Sequence, residues 1–135
     1  MDGAVLNITS DGAGPRVMIV DDNRDAAELL AEILDAAGFE TLALLNAQSA
    51  LASLAEFQPE SILIDIGLPS VDGYELARRI RTVEEFKAIR LIAITGYGQP
   101  SDRKIALAAG FSEHLVKPVD VQQLEAILRA PKVQP

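Results

Sequence analysis

Asp21, Asp22, Asp65, Thr95 and Lys117 are the side chains of this sequence best suited to chemistry, and each stands at or just past the end of an apolar run. "RVMIVDDN" (residues 16–23) drives four apolar residues into two adjacent carboxylates, "ILIDIGLP" reaches Asp65, "LIAITGYG" reaches Thr95, and "HLVKPVD" reaches Lys117. Singly, each has an ordinary structural use. Asp22 or Asn23 can cap a helix by accepting one of its free N–H groups. Asp65 can open a turn that Gly67 and Pro69 continue, Thr95 is a β-branched residue in a strand, and Lys117 can neutralise a nearby carboxylate. One cap suffices, however, and the second adjacent carboxylate needs another reason. Like charges side by side repel and gain from a cation between them.

Together, three carboxylates, a hydroxyl and an ammonium suit phosphoryl transfer to a carboxylate. The transferred group spreads charge over three equatorial oxygens, so positioning and countercharge do most of the catalysis. Mg²⁺ (or Mn²⁺) favours oxygen ligands, and Mg²⁺ takes one or two carboxylates plus water and phosphate oxygens. Asp21, Asp22 and Asp65 would supply that site. A carboxylate is ionised at neutral pH unless strongly perturbed, so Asp65 needs no general base to act as nucleophile. Lys117 and the Thr95 hydroxyl would address the phosphoryl oxygens that the metal leaves uncovered.

The elements that must position these groups alternate along the chain. Val17–Val20, Thr41–Leu45, Ile62–Ile64, Leu91–Ile94 and Leu115–Val116 are short apolar runs, as expected of strands buried on both faces. Between them lie helical spacings: Ala26, Leu29, Leu30, Ile33, Leu34 and Ala37, stopped by Gly38; Ala47, Ala50, Leu51 and Leu54, capped by Asn46; and Leu76, Ala77 and Ile80. A helix over residues 101–109 closes at Gly110, and a last one carries Val121, Leu124, Ile127 and Leu128 behind the cap Asp120. Five strands alternating with five helices imply a parallel sheet covered on both faces by right-handed crossovers. In such a sheet ligands bind outside the carboxyl ends of the strands, where all the polar residues above fall. The second strand contributes none, which fits a place at the sheet's edge.

Composition narrows the function classes. The 135 residues suit one domain, 49% hydrophobic and 24% charged. A net charge of −8 argues against a broad electrostatic hold on nucleic acid. No apolar run approaches the ~20 residues of a membrane-spanning helix, and no basic-then-apolar secretory signal is visible, so a cytoplasmic location without membrane contact is expected. The absence of cysteine excludes disulfides and thiolate chemistry. Residues 1–15, with Gly3, Gly12, Gly14 and Pro15 among small polar residues, read as a flexible leader or linker; residues 16–130 form the domain, and 131–135 a short tail.

The stretches "VDDN", "LIDIGLPSVDGYEL", "IAITGYG" and "HLVKPVD", in this order and spacing, resemble the receiver domain of two-component response regulators over about residues 16–129. The resemblance implies a flavodoxin-like (βα)₅ sandwich with strand order 2-1-3-4-5. It implies Asp65 as phosphoacceptor, Asp22 as a direct Mg²⁺ ligand, Asp21 acting through water, and the Gly67 carbonyl completing the protein ligands. Lys117 would pair with Asp65 and then with the phosphoryl group, Thr95 would sense it, and Lys117–Pro118 would be a cis peptide. The phosphoryl donor would be a histidine kinase or a histidine phosphotransfer domain, with self-phosphorylation and dephosphorylation rather than turnover of a separate substrate. A phosphorylation-dependent dimer is one outcome the resemblance allows. "TGYGQ" with "HLVKPVD" is similar to receivers appended to hybrid histidine kinases, which suggests an excised module of a larger protein. The chain departs from the family at two positions. His114, its only histidine, occupies a switch position where many members carry Tyr or Phe, and Gly67 is smaller than many residues found two after the acceptor.

Three alternatives share parts of this pattern. A haloacid-dehalogenase-type phosphatase also uses an aspartyl nucleophile, Mg²⁺, Thr and Lys. It resembles D-x-D after its first strand, whereas Gly67 stands two past Asp65 and the acidic pair precedes the nucleophile. A flavodoxin-like cofactor binder would need a phosphate-binding loop where "VDDNRD" is anionic. A receiver kept only as an interaction surface would not need the complete acidic pocket.

Overall fold

The computed structural model describes residues 5–8, 14–66, 73–96 and 100–131. The elements run β1 (Val5–Ile8), β2 (Arg16–Val20), α1 (Arg24–Ala36), β3 (Glu40–Leu44), α2 (Ala47–Phe57), β4 (Ser61–Asp65), α3 (Gly73–Thr82), β5 (Arg90–Thr95), α4 (Pro100–Ala109), β6 (Glu113–Val116) and α5 (Val121–Arg129). One sheet holds them in the order β1-β3-β2-β4-β5-β6. The five strands from β2 onward are parallel and reproduce the expected 2-1-3-4-5 order. The cores lie on the two faces. Met18, Val20, Ile62, Ile64, Leu91 and Ala93 meet α2, α3 and α4 on one side. Val17, Ile19, Leu63, Ile92, Ile94 and Leu115 meet α1 and α5 on the other.

Local chemistry sets the helix boundaries. The Asn23 side chain accepts from Ala26 N–H, Asn46 from Ser49 N–H, and Asp120 from Gln122 and Gln123 N–H. Gly38 and Gly110, at φ +101° and +110°, turn the chain out of α1 and α4 in a conformation that costs a residue without Cβ least.

Two sequence expectations change. Within the residues read as a leader, Val5–Ile8 is a strand, paired antiparallel to β3. The strand expected at the edge is therefore covered, and all five of its residues are buried. Such a short segment has no periodicity of its own; its strand state comes from its neighbour. In α1, Ala27, Ala31 and Leu34 are the buried residues, whereas Leu29, expected to face inward, is 59% exposed. Two alanines facing the sheet let the helix lie close, and this rotates Leu29 outward.

Candidate functional site

Four adjacent strands deliver the polar residues to one end of the sheet. Asp65 is the last residue of β4 and Thr95 the last of β5, Asp21 and Asp22 follow β2, and Lys117 follows β6. Register aligns them: Val20 is opposite Ile64, Asp65 opposite Ile94, and Thr95 opposite Val116. Backbone bonds extend the ladder past the strand ends. Asp21 N–H donates to Leu44 O at 3.1 Å, Ile66 N–H to Ile94 O at 2.9 Å, and Lys117 N–H to Thr95 O at 2.8 Å. The chain reverses its direction of travel across the sheet between β2 and β4, the switch point at which an open parallel sheet forms its ligand crevice. Asp21 and Asp65 stand on either side of it.

Lys117 Nζ donates to Asp65 Oδ2 at 2.5 Å, the Asp65 side chain being 3% exposed and that of Lys117 42%. Asp21 is buried, and its Oδ1 accepts the Asn23 N–H at 2.9 Å. Burial pushes the Asp21 carboxyl up from its ordinary value. The Asn23 hydrogen bond opposes this, the charges of Asp65 and Asp22 add to it, and Lys117 offsets part of it. For Lys117, burial pulls the ammonium down, but the hydrogen bond and charge of Asp65, with the charge of Asp21, outweigh it and hold the group above its ordinary value. Asp22 is half-buried. Since Asn23 supplies the helix cap, neither aspartate is needed for it.

The Lys117–Pro118 peptide bond is cis. His114, opposite Ala93 on β6, is half-buried; its Nε2 is the single buried side-chain polar atom without a hydrogen-bond partner among the described residues. Gly67 lies outside the described residues. Among those described, no group of three acidic or histidine side chains closes into a metal cage. The donor set still fits Mg²⁺, which takes few protein carboxylates and keeps several waters: Asp21, Asp22 and Asp65 repel one another across a site where a cation relieves them.

Sequence reasoning missed the apolar wall beside these groups. A groove of about 550 Å³ runs from Asp21, Asp65 and Lys117 along Leu29, Leu30 and Ile33 of α1 to Pro118 and Val119. Its one signal was the surplus of apolar residues on α1, too many for a single inward stripe. A larger depression, about 870 Å³, lies at the other end of the sheet, away from these groups, against Arg81, Arg90 and Ile127.

The chain belongs to the response regulator receiver domain family, whose model matches residues 17–129. It is 33% identical over 105 residues to the polar-differentiation response regulator DivK of Brucella anthropi, covering 78% of this chain and 85% of that one. To the phosphate regulon transcriptional regulatory protein PhoB of Pseudomonas aeruginosa it is 35% identical over 117 residues, 87% of this chain but 51% of that one. The chain thus spans about half of that longer relative. Among solved structures, the receiver domain of a Pseudomonas aeruginosa sensor histidine kinase, with a magnesium ion coordinated in its active site cleft, superposes with a TM-score of 0.77. It is 30% identical, with coverage of 87% of this chain and 96% of that one. Receiver domains act in two-component signalling, bind Mg²⁺ in their active site, and interact with histidine kinases or phosphotransfer partners. No described helix is long and apolar enough to cross a membrane.

Proposed function

We propose that this chain accepts a phosphoryl group on Asp65 from a phosphohistidine of a histidine kinase or phosphotransfer domain. The observation that carries this reading is the buried Asp65 carboxylate, held by Lys117 at 2.5 Å with Asp21 beside it. An Asp65 oxygen attacks phosphorus as the P–N bond to the donor imidazole breaks, and the electron pair leaves with the imidazole nitrogen. Lys117 steadies the carboxylate beforehand and the phosphoryl oxygens afterwards. Thr95, at the end of the adjacent strand, meets the new oxygens with its hydroxyl. Asp22 and Asp65, with the Gly67 carbonyl and Asp21 through water, would hold Mg²⁺, which when bound neutralises charge developing on the phosphoryl oxygens. Leu29, Leu30 and Ile33 give a partner helix an apolar surface beside the acceptor.

His114 lies on the same sheet face as Thr95, one strand over, and is the candidate for relaying the new contact toward α4 and β6. Its ring is smaller and more polar than that of Tyr, so turning it further inward requires a partner for Nε2.

Intact-mass analysis with acetyl phosphate and Mg²⁺ should show one added phosphoryl group. It should be lost with a chelator and in Asp65→Asn; undiminished labelling of Asp65→Asn would sink the assignment. In a metal titration, Asp22→Ala should weaken Mg²⁺ binding more than Asp21→Ala does. Equal, wild-type affinity in both variants would remove the proposed ligand geometry.

A further inference from the structure

The two edges of the sheet are protected by different means. The β6 edge is four residues long and carries Glu113 and His114, the short and polar edge expected of a strand that must not recruit another. β3 has none of these devices. Its sequence, Glu40-Thr41-Leu42-Ala43-Leu44, contains no proline and no lysine. Its single charge, Glu40, sits at one end, 3.6 Å from Arg16. Leu42 and Leu44 enter one core and Ala43 the other, so the strand is held flat between two packed layers. Such a strand presents an aligned row of backbone donors and acceptors, a template for another extended chain.

β1 occupies that row, with Val5 opposite Leu44, Asn7 opposite Ala43 and Ile8 opposite Leu42. Two steps along β1 between Val5 and Asn7 match one step along β3, so an extra residue bulges there. A bulge spoils the outer edge of β1 as a further template. The family match begins at Val17, after β1, so this strand is an addition to the shared domain. Its path is fixed where the chain passes under β3. A Cβ on Gly14 would lie 1.6 Å from the Gly38 carbonyl oxygen, and the Pro15 carbonyl accepts the Glu40 N–H at 3.0 Å.

We infer that β1 is a covering strand, and that the β3 edge beneath it is a pairing surface for a second copy of this chain, β3 against β3. Antiparallel pairing about a two-fold axis near Leu42 sets each Glu40 opposite a Leu44, which keeps the like charges apart and leaves the edge apolar and self-complementary. A parallel arrangement would stack the two Glu40 side chains. With β1 in place this surface is closed; its displacement opens it.

The test uses the full chain. Gly14→Ala forces the approach to Pro15 off its path, and Asn7→Pro removes a β1 backbone donor without touching residues 14–131. Sedimentation velocity across a concentration series should show self-association at least about tenfold tighter than wild type in both variants. Hydrogen exchange should show the amides of Thr41 and Ala43, which alternate with the β2-facing Glu40 and Leu44, protected in the dimer and open after dilution. A synthetic peptide of residues 3–10 should return the variants to monomer by refilling the edge. Folded variants whose Thr41 and Ala43 amides exchange freely yet which associate no more tightly than wild type would overturn the proposal. So would dimers indifferent to the peptide, which would place the interface elsewhere, or loss of the whole fold in both variants, which would make β1 part of the core.

Discussion

At the carboxyl ends of the strands, Asp21 and Asp65 crowd around Lys117, with Asp22 beside Asp21. At the opposite end, cations are matched to backbone carbonyls. Arg81 donates to the carbonyls of Gly110 at 2.9 Å, Ile89 at 2.7 Å and Lys87 at 3.2 Å. Arg90 donates to those of Ile127 and Ala130, and Arg129 donates to Ala37 while lying 4.3 Å over the Phe39 ring. Arg81 closes the ends of α3 and α4 together, Arg90 ties α5 to the base of β5, and Arg129 ties it to the end of α1. Burial holds the Arg81 guanidinium below its ordinary value. The lesson is a division of labour: one pole satisfies its charges and holds the fold, while the other keeps like charges together, as the proposed phosphoryl acceptance requires.

Truncating one cation at each pole should separate the two roles. Lys117→Ala should slow labelling by acetyl phosphate about 100-fold, the usual cost of losing one preorganised donor. Labelling at the wild-type rate would move the catalytic countercharge elsewhere. Arg81→Ala should leave the labelling rate per folded molecule unchanged but lower stability in urea by about 2–3 kcal/mol, since three carbonyls lose a charged donor. A labelling defect in Arg81→Ala as large as that of Lys117→Ala would erase the contrast.

Smaller effects sharpen it. His114→Phe removes a buried nitrogen that has no partner among the described residues and should raise stability by about 1 kcal/mol in urea, with labelling retained. A loss of stability would mean that the ring nitrogen has a partner in solution. The smallest effect is a slope. The Asp21 carboxyl is raised in the fold, so the folded state binds more protons than the unfolded one between the two values. Stability of the metal-free chain should therefore fall as pH rises from the ordinary carboxyl value, near 3.8, through the raised one. Asp21→Asn should flatten that part of the curve, and so should Mg²⁺. An unchanged slope would show that the acidic pole carries no such cost.

The parallel sheet was legible because each buried strand is an uninterrupted apolar run, and the polar residues were legible because they end those runs. Asn23 against Asp22 as cap could not be separated by type, since both are good acceptors before a helix. The inward face of α1 was misread because apolar residues occupy two overlapping helical stripes, and the alanine stripe packs closer. β1 gave no signal, as its pairing is with a strand more than thirty residues on. The roles of Arg81, Arg90 and Arg129 were equally hidden, their carbonyl partners lying as far as 29, 40 and 92 residues away.

The direction of β1 gives the domain a wiring polarity. Because β1 runs antiparallel, Val5 lies beside Leu44, at the same pole as Asp21 and Asp65. α5 runs the other way, and Ala130 is clasped by Arg90 at the far pole. A cargo joined just upstream of Val5 would set out from the pole that bears Asp65, and one joined after Pro131 from the opposite one. For anyone attaching a fluorophore, an affinity handle or another module, the downstream junction leaves the acidic mouth clear. The upstream junction would bring the cargo within reach of it, a built-in position for reporting on what happens there.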